Sequence, residues 1–213
     1  MSGAEKCISL VLRRLKKRYN EEMKTSLKHS SPWELLVATI LSAQTTDAQV
    51  NRITPKLFDR YPKLSSIARL KPSQLYPYTR SVNIYRNKSK NIIKAAKMIQ
   101  RDFGGKVPNT VDKLTMLPGV GRKTANVVMA NAFGRSEGIA IDTHCITVAN
   151  RLFLYKTKNP SEIERRLMRI IPKKDWGNVT HLFIALGRDV CTARTKYCER
   201  CVLSDICPSS IVK

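Results

Sequence analysis

Apolar residues recur every three or four positions along nearly all of this chain, and no convincing stretch alternates apolar with polar side chains. That spacing lays apolar groups on one stripe of a helix, whereas a half-buried strand needs a period of two, so the expected fold class is all-α. Ile8, Val11, Leu12, Leu15 and Tyr19 share one face of a first helix. Ser31-Pro32-Trp33-Glu34 opens another through Leu41, with a capping hydroxyl, a proline at the first helical position and a glutamate at the third. Asn159-Pro160-Ser161-Glu162 repeats that grammar ahead of Ile163 to Ile170. Asp47 is the expected cap of the next helix, which Pro55 is expected to kink or end. Ile92, Ile93, Ala96, Ile99 and Phe103 mark a buried stripe between Asn87 and Phe103, stopped by Gly104-Gly105 and backed by a lysine-rich face. A last helix through Trp176, Val179, Leu182, Phe183, Leu186 and Val190 runs directly into Cys191.

Charge narrows the partner. The chain holds 39 lysines and arginines against 16 acidic residues, a formal charge of +23 that solubility alone does not require. A polyanion is implied. No stretch approaches the ~18 apolar residues of a spanning helix, which disfavours a membrane and leaves nucleic acid. The N-terminus places Arg13, Arg14, Lys16, Lys17 and Arg18 after its apolar patch, the reverse of a secretory signal, so reduced cysteines in a bacterial or archaeal cytoplasm, close to the nucleoid, are expected.

In that setting Cys191-x6-Cys198-x2-Cys201-x5-Cys207 reads as a metal site. Four thiolates are the number that holds a [4Fe-4S] cube. Structural zinc is the alternative, but it usually shows two Cys-x2-Cys pairs, and only Cys198 and Cys201 have that spacing. Arg194, Lys196 and Arg200 are threaded among the ligands and would offer a basic loop to a phosphate backbone. Cys7 and Cys145 fall outside the pattern.

Leu117-Pro118-Gly119-Val120-Gly121-Arg122-Lys123 lies between a short helical stretch, Val111 to Met116, and a helix from Arg122 to Phe133. Helix, tight turn and helix would bring the N–H groups of Gly119, Val120, Gly121 and Arg122 against an anion, aided by the helix dipole. A bare Gly-x-Gly is more often an ordinary turn. Here Arg122-Lys123 follows at once, and Asp142-Thr143-His144 opens another helix shortly after. The spacing also excludes a Walker A loop, which has four residues between its glycines.

Leu117 to Ala125 followed by Ile141-Asp142-Thr143-His144 resembles the helix-hairpin-helix DNA glycosylases, and among them the endonuclease III family. The likeness extends over most of the chain. Ser42-Ala43-Gln44-Thr45-Thr46-Asp47 resembles the family's loop that inserts a glutamine into DNA, and the cysteine spacing equals that of its [4Fe-4S] cluster. The resemblance implies two helical domains with a DNA groove between them. One is a central six-helix unit over residues 25–135 that carries the hairpin; the other combines 1–24 with 136–213 and bears the cluster. It implies a monomer acting on double-stranded DNA with a damaged pyrimidine or an abasic site.

The implied roles fit the chemistry. Breaking the bond at C1′ of a nucleotide passes through a transition state of oxocarbenium character, which the carboxylate of Asp142 can stabilise. An amine that attacks C1′ leaves an imine whose acidified neighbouring protons permit β-elimination of the 3′ phosphate, and the family position of that lysine falls on Lys123. The pair implies a bifunctional glycosylase and AP lyase. Alternatives are a monofunctional mismatch glycosylase, which needs no Lys123, and a non-catalytic DNA-binding redox sensor, which needs neither residue. His144 joins the DNA-contact set. A base inside the stack must be flipped out and the gap filled, and by resemblance Gln44 and Ile84 fill it. Relatives carry Gly-Leu or Gly-Phe where this chain has Asn83-Ile84, and an aliphatic residue where it has Cys145.

Overall fold

The computed structural model describes residues 3–19 and 25–212. Their elements are α1 (Gly3–Tyr19), α2 (Pro32–Ser42), α3 (Asp47–Arg60), α4 (Leu64–Ala68), α5 (Pro72–Thr79), α6 (Tyr85–Asp102), α7 (Val111–Thr115), α8 (Arg122–Ala132), α9 (Thr143–Phe153), α10 (Pro160–Ile170) and α11 (Trp176–Asp189). Single 3-10 turns lie at Lys173–Asp175 and Cys198–Arg200. Among the described residues the only extended pairing is one isolated bridge, Cys191 to Lys196, so the all-α expectation holds. No described helix is long and apolar enough to cross a membrane.

The chain divides into two compact units, Thr25–Arg135, and Met1–Lys24 with Ser136–Lys213. Each has its own apolar core, as two independently packed bodies require. In the first, α2 is buried almost all round, from Trp33 through Leu41 with Glu34 excepted, and packs against α3, α6 and α8. Leu57, Ile92, Ile99, Leu114 and Val128 complete that core. The unit comprises α2 to α8, of which α4 and α7 are single turns of 5 residues each. The stretch expected at Val111 to Met116 is α7, whereas α4, with only Ile67 and Ala68 buried, is too short to give a readable period.

The caps follow the expected grammar with one shift. Ser31 accepts from the Glu34 N–H at 3.2 Å, and Asn159 from the N–H of Ser161 at 3.0 Å. The cap of α3 is Thr46, which accepts from Gln49 N–H at 3.3 Å, and not Asp47. Asp47 instead accepts from the Ser26 hydroxyl. Of the expected kink or end at Pro55 the end does not occur: the helix runs on to Arg60, with Val50, Thr54 and Leu57 buried on either side of the proline. Packing of that face outweighs the one hydrogen bond the proline forfeits.

In the second unit α11 packs against α9 and α1. Ile8, Leu15, Val148, Leu167, Phe183 and Leu203 are fully or almost fully buried in its core. Arg14 anchors the C-terminal segment to α1, donating to the Val202 carbonyl at 3.0 Å and pairing with Asp205.

Candidate active site

The hairpin between α7 and α8 is a turn that only glycine allows. Gly119 takes φ +81°, and a Cβ there would meet both Cβ and Nδ2 of Asn91 at 2.9 Å. Strain and contact thus exclude a side chain independently. The Val120 N–H donates to the Leu117 carbonyl at 3.1 Å and closes the turn, while the Val120 side chain is buried in the core. Val120 therefore shapes the loop and spends its N–H internally. Gly121 is the N-cap of α8 and has no side chain with which to cap it, so the positive end of that helix suits an anion. Gly119, Gly121, Arg122 and Lys123 are exposed, the two basic side chains on the first turn of α8.

Asp142, in the other unit, is the half-buried N-cap of α9 and accepts from the Cys145 N–H at 2.8 Å. Burial lowers the His181 pKa from its ordinary value, and the charge of Asp142 opposes that shift. His144 is packed over α11: a Cβ on Gly187 would stand 2.9 Å from its Nδ1 and 3.0 Å from its Cβ. That glycine makes room for the imidazole. Cys145 is fully buried behind Asp142, near the carbonyls of Ala140 and Thr180.

Gln44 and Ile84 share an uncommon feature. Each is exposed and each has φ 56°, in the left-handed region that favours glycine. For a β-branched side chain this is a true outlier. Ile84 is the N-cap of α6 and is 57% exposed, which removes it from the core.

Cys191, Cys198, Cys201 and Cys207 all line one pocket, walled by Leu152, Leu186, Val190 and Leu203. None is in a disulfide. Among the described residues no three His, Cys, Asp or Glu side chains are grouped to hold one metal ion. Arg151 braces the loop, donating to Cys191 Sγ at 3.2 Å and to the Thr192 carbonyl at 2.8 Å. Lys196 lines the same pocket and donates to the Ser209 carbonyl at 2.9 Å, whereas Arg194 is exposed.

Two residues around these loops escaped sequence reasoning. Arg151 carries no local signal, because its partners lie some 40 positions away. Lys88 had one: it sits four residues before Ile92 on the stripe that continues to Ala95 and Ile99, all buried. A lysine on an apolar stripe is a buried cation in need of acceptors.

Residues 37–173 match the HhH-GPD superfamily of base excision DNA repair proteins. The chain is 46% identical over 185 residues to an endonuclease III of Synechocystis sp., covering 87% of this chain and 84% of that protein. It is 47% identical over 182 residues to the endonuclease III of Bacillus subtilis, covering 85% and 83%. Among solved structures, a trapped covalent intermediate of endonuclease III with DNA, in an estranged-adenine complex, matches with a TM-score of 0.87 and 38% identity over 98% of this chain and 97% of that one. A thermostable thymine-DNA glycosylase shares the fold at 22% identity, with a TM-score of 0.82 over 97% and 96% of the two chains.

Proposed function

The chain belongs to the HhH-GPD superfamily of base excision DNA repair proteins and to its endonuclease III family, and we propose on that premise that Lys123 is the nucleophile and Asp142 its acidic partner. The protein is a bifunctional DNA glycosylase and AP lyase acting on double-stranded DNA. Its substrates are oxidised pyrimidines and abasic sites. Lys123 Nζ attacks C1′, the bond from C1′ to the base nitrogen breaks, and the base leaves with the bonding electron pair and takes up a proton. Loss of a second proton from nitrogen and opening of the sugar ring give an imine. Removal of a proton from C2′ then expels the 3′ phosphate, and water releases the enzyme from the imine. Asp142 stabilises positive charge developing on the sugar.

The observation that carries this reading is the placement of Lys123: exposed, on the first turn of α8 behind a glycine N-cap, directly after a loop whose Gly119 leaves no room for a side chain without strain. An anion held by that loop is a DNA phosphate, which fixes the strand beside the amine. Borohydride added to the enzyme with thymine glycol duplex should trap a covalent adduct that Lys123→Gln abolishes. An undiminished adduct in that variant would move the nucleophile elsewhere, and no adduct on either lesion or abasic duplex would leave a monofunctional enzyme.

The family carries an iron-sulfur cluster, and we assign its [4Fe-4S] form here to Cys191, Cys198, Cys201 and Cys207. Four thiols around one largely apolar pocket, with no three gathered as a single ion would need, suit a cube that offers each thiolate a separate iron better than they suit zinc. The bound cluster would cross-link the C-terminal loop and hold Arg194 toward the DNA backbone. Iron and sulfide analysis with visible absorbance tests it: a colourless protein with stoichiometric zinc has the other metal. With bacterial relatives, the chain is assigned to the cytoplasm, working on nucleoid DNA.

A further inference from the structure

The segments bearing Gln44 and Ile84 are tied to each other. The Asn83 side-chain amide donates to the Gln44 carbonyl at 2.6 Å, and the Asn83 N–H to Thr45 Oγ1 at 3.3 Å. From the first turn of α6, Lys88 reaches under the same loop. Its ammonium donates to the Leu41 carbonyl at 2.7 Å, to the Ala43 carbonyl, and to Thr45 Oγ1 at 3.2 Å. Every acceptor lies at or just beyond the C-terminal end of α2, where carbonyls lack helical partners and carry the negative end of the dipole. Lys88 is 7% exposed, and burial pushes its pKa down.

We propose that Asn83 and Lys88 form a clasp that locks the Gln44 loop to the Ile84 turn, so that both side chains enter the DNA stack as one preformed wedge. Two non-glycine residues at φ 56° side by side are costly, and such strain persists only where surroundings over-determine it. The clasp supplies that determination. Asn83 and Lys88 are positioning residues: neither is exposed apolar surface fit for insertion, and each acts through the backbone of the loop it holds. A glycine at position 83 could not make the side-chain bond, so the asparagine gives this chain a link that a Gly-Leu turn lacks. Rigidity before binding lowers the entropy lost on insertion and raises the fraction of encounters that open the duplex.

The proposal rests on the reading of Gln44 and Ile84 as inserting residues, and a coupling experiment separates the two. The probe is a duplex with an uncleavable tetrahydrofuran abasic site and 2-aminopurine opposite it, whose fluorescence rises on unstacking. The apparent constant for opening is measured for Gln44→Ala, Ile84→Ala and the double variant, first alone and then with Asn83→Ala, Asn83→Asp or Lys88→Met. In the native background the two truncations should be non-additive by about tenfold, since either one disables a shared wedge. With Asn83→Ala, and equally with Asn83→Asp, which cannot donate, the coupling should fall toward onefold. Asn83 is exposed, so these variants fold whether or not Lys88→Met does. Additive native truncations, or coupling that survives all three clasp variants, would overturn the clasp while leaving Gln44 and Ile84 as inserting residues. If neither Gln44→Ala nor Ile84→Ala alters fluorescence, the insertion reading falls and the clasp with it.

Discussion

The Asp142 carboxylate accepts the backbone N–H of Cys145 at 2.8 Å, so the residue proposed to stabilise the reacting sugar is also the N-cap of α9. The two duties separate by substitution. Asparagine caps a helix about as well as aspartate, whereas alanine forfeits about 1 kcal/mol. Asp142→Ala should therefore unfold at lower denaturant than the native chain, with Asp142→Asn within about 0.5 kcal/mol of it. Both should lose about 10²- to 10³-fold in single-turnover base excision, because both lack the charge. Near-native excision by Asp142→Asn would reduce this residue to a cap.

Gly119→Ala isolates the hairpin. The substitution meets an unfavourable φ of +81° and Asn91 atoms at 2.9 Å, the nearest being the Asn91 Cβ, which cannot rotate away. A loss of about 1–3 kcal/mol in denaturant stability is expected. If the loop holds one phosphate, the slope of log affinity against log salt for an uncleavable abasic duplex should also shrink by about 0.9. A destabilised variant with an unchanged slope would mean an ordinary helix connection.

What the sequence disclosed here was local. Helical stripes, the Ser31 and Asn159 caps, the hairpin and the cysteine spacing all lie within a few turns of chain, where periodicity and turn chemistry speak directly. What it withheld depends on tertiary contact. Lys88 and Asn83 bind backbone carbonyls 39 to 47 positions away, an acceptor every residue possesses, so the stripe that marks Lys88 as a buried cation does not name its partners, and no local pattern marks Asn83 at all. The same limit applies to the donors of Val120 and Lys196, both proposed to meet DNA. The turn uses the N–H of Val120, and the Ser209 carbonyl holds the ammonium of Lys196. Proximity to a glycine or to a ligand cysteine cannot reveal which donors are already engaged.

Gly187→Ala sets two effects of similar size against each other. In the last turn of α11, alanine should gain up to about 1 kcal/mol over glycine. Its Cβ would also stand 2.9 Å from His144 Nδ1, and overpacking of this kind costs about 1–3 kcal/mol. We expect net destabilisation. In a His144→Ala background the ring contact is gone and only the Cβ contact at 3.0 Å remains, so the same substitution should cost less. A double-mutant cycle of chemical denaturation should give a coupling above about 0.5 kcal/mol. Strict additivity would place the His144 ring away from Gly187.

His181 offers a readout of the Asp142 charge that is independent of turnover. Burial holds its folded pKa below the ordinary 6.5, and Asp142 pulls it partly back. As pH falls through 6.5 the unfolded chain binds a proton that the folded chain still refuses, so this group's contribution to stability is full above 6.5 and declines until the folded imidazole titrates too. The carboxylates held low by their arginines, Asp102 and Asp205, act at lower pH and leave that window clear. Asp142→Asn removes the opposing charge, so His181 should titrate lower by NMR and the loss of stability below pH 6.5 should run further. His181→Gln should flatten this part of the profile. An unmoved or raised His181 titration in Asp142→Asn would mean that the carboxylate does not act on this imidazole, and with it would go the field by which Asp142 is argued to act on a sugar cation.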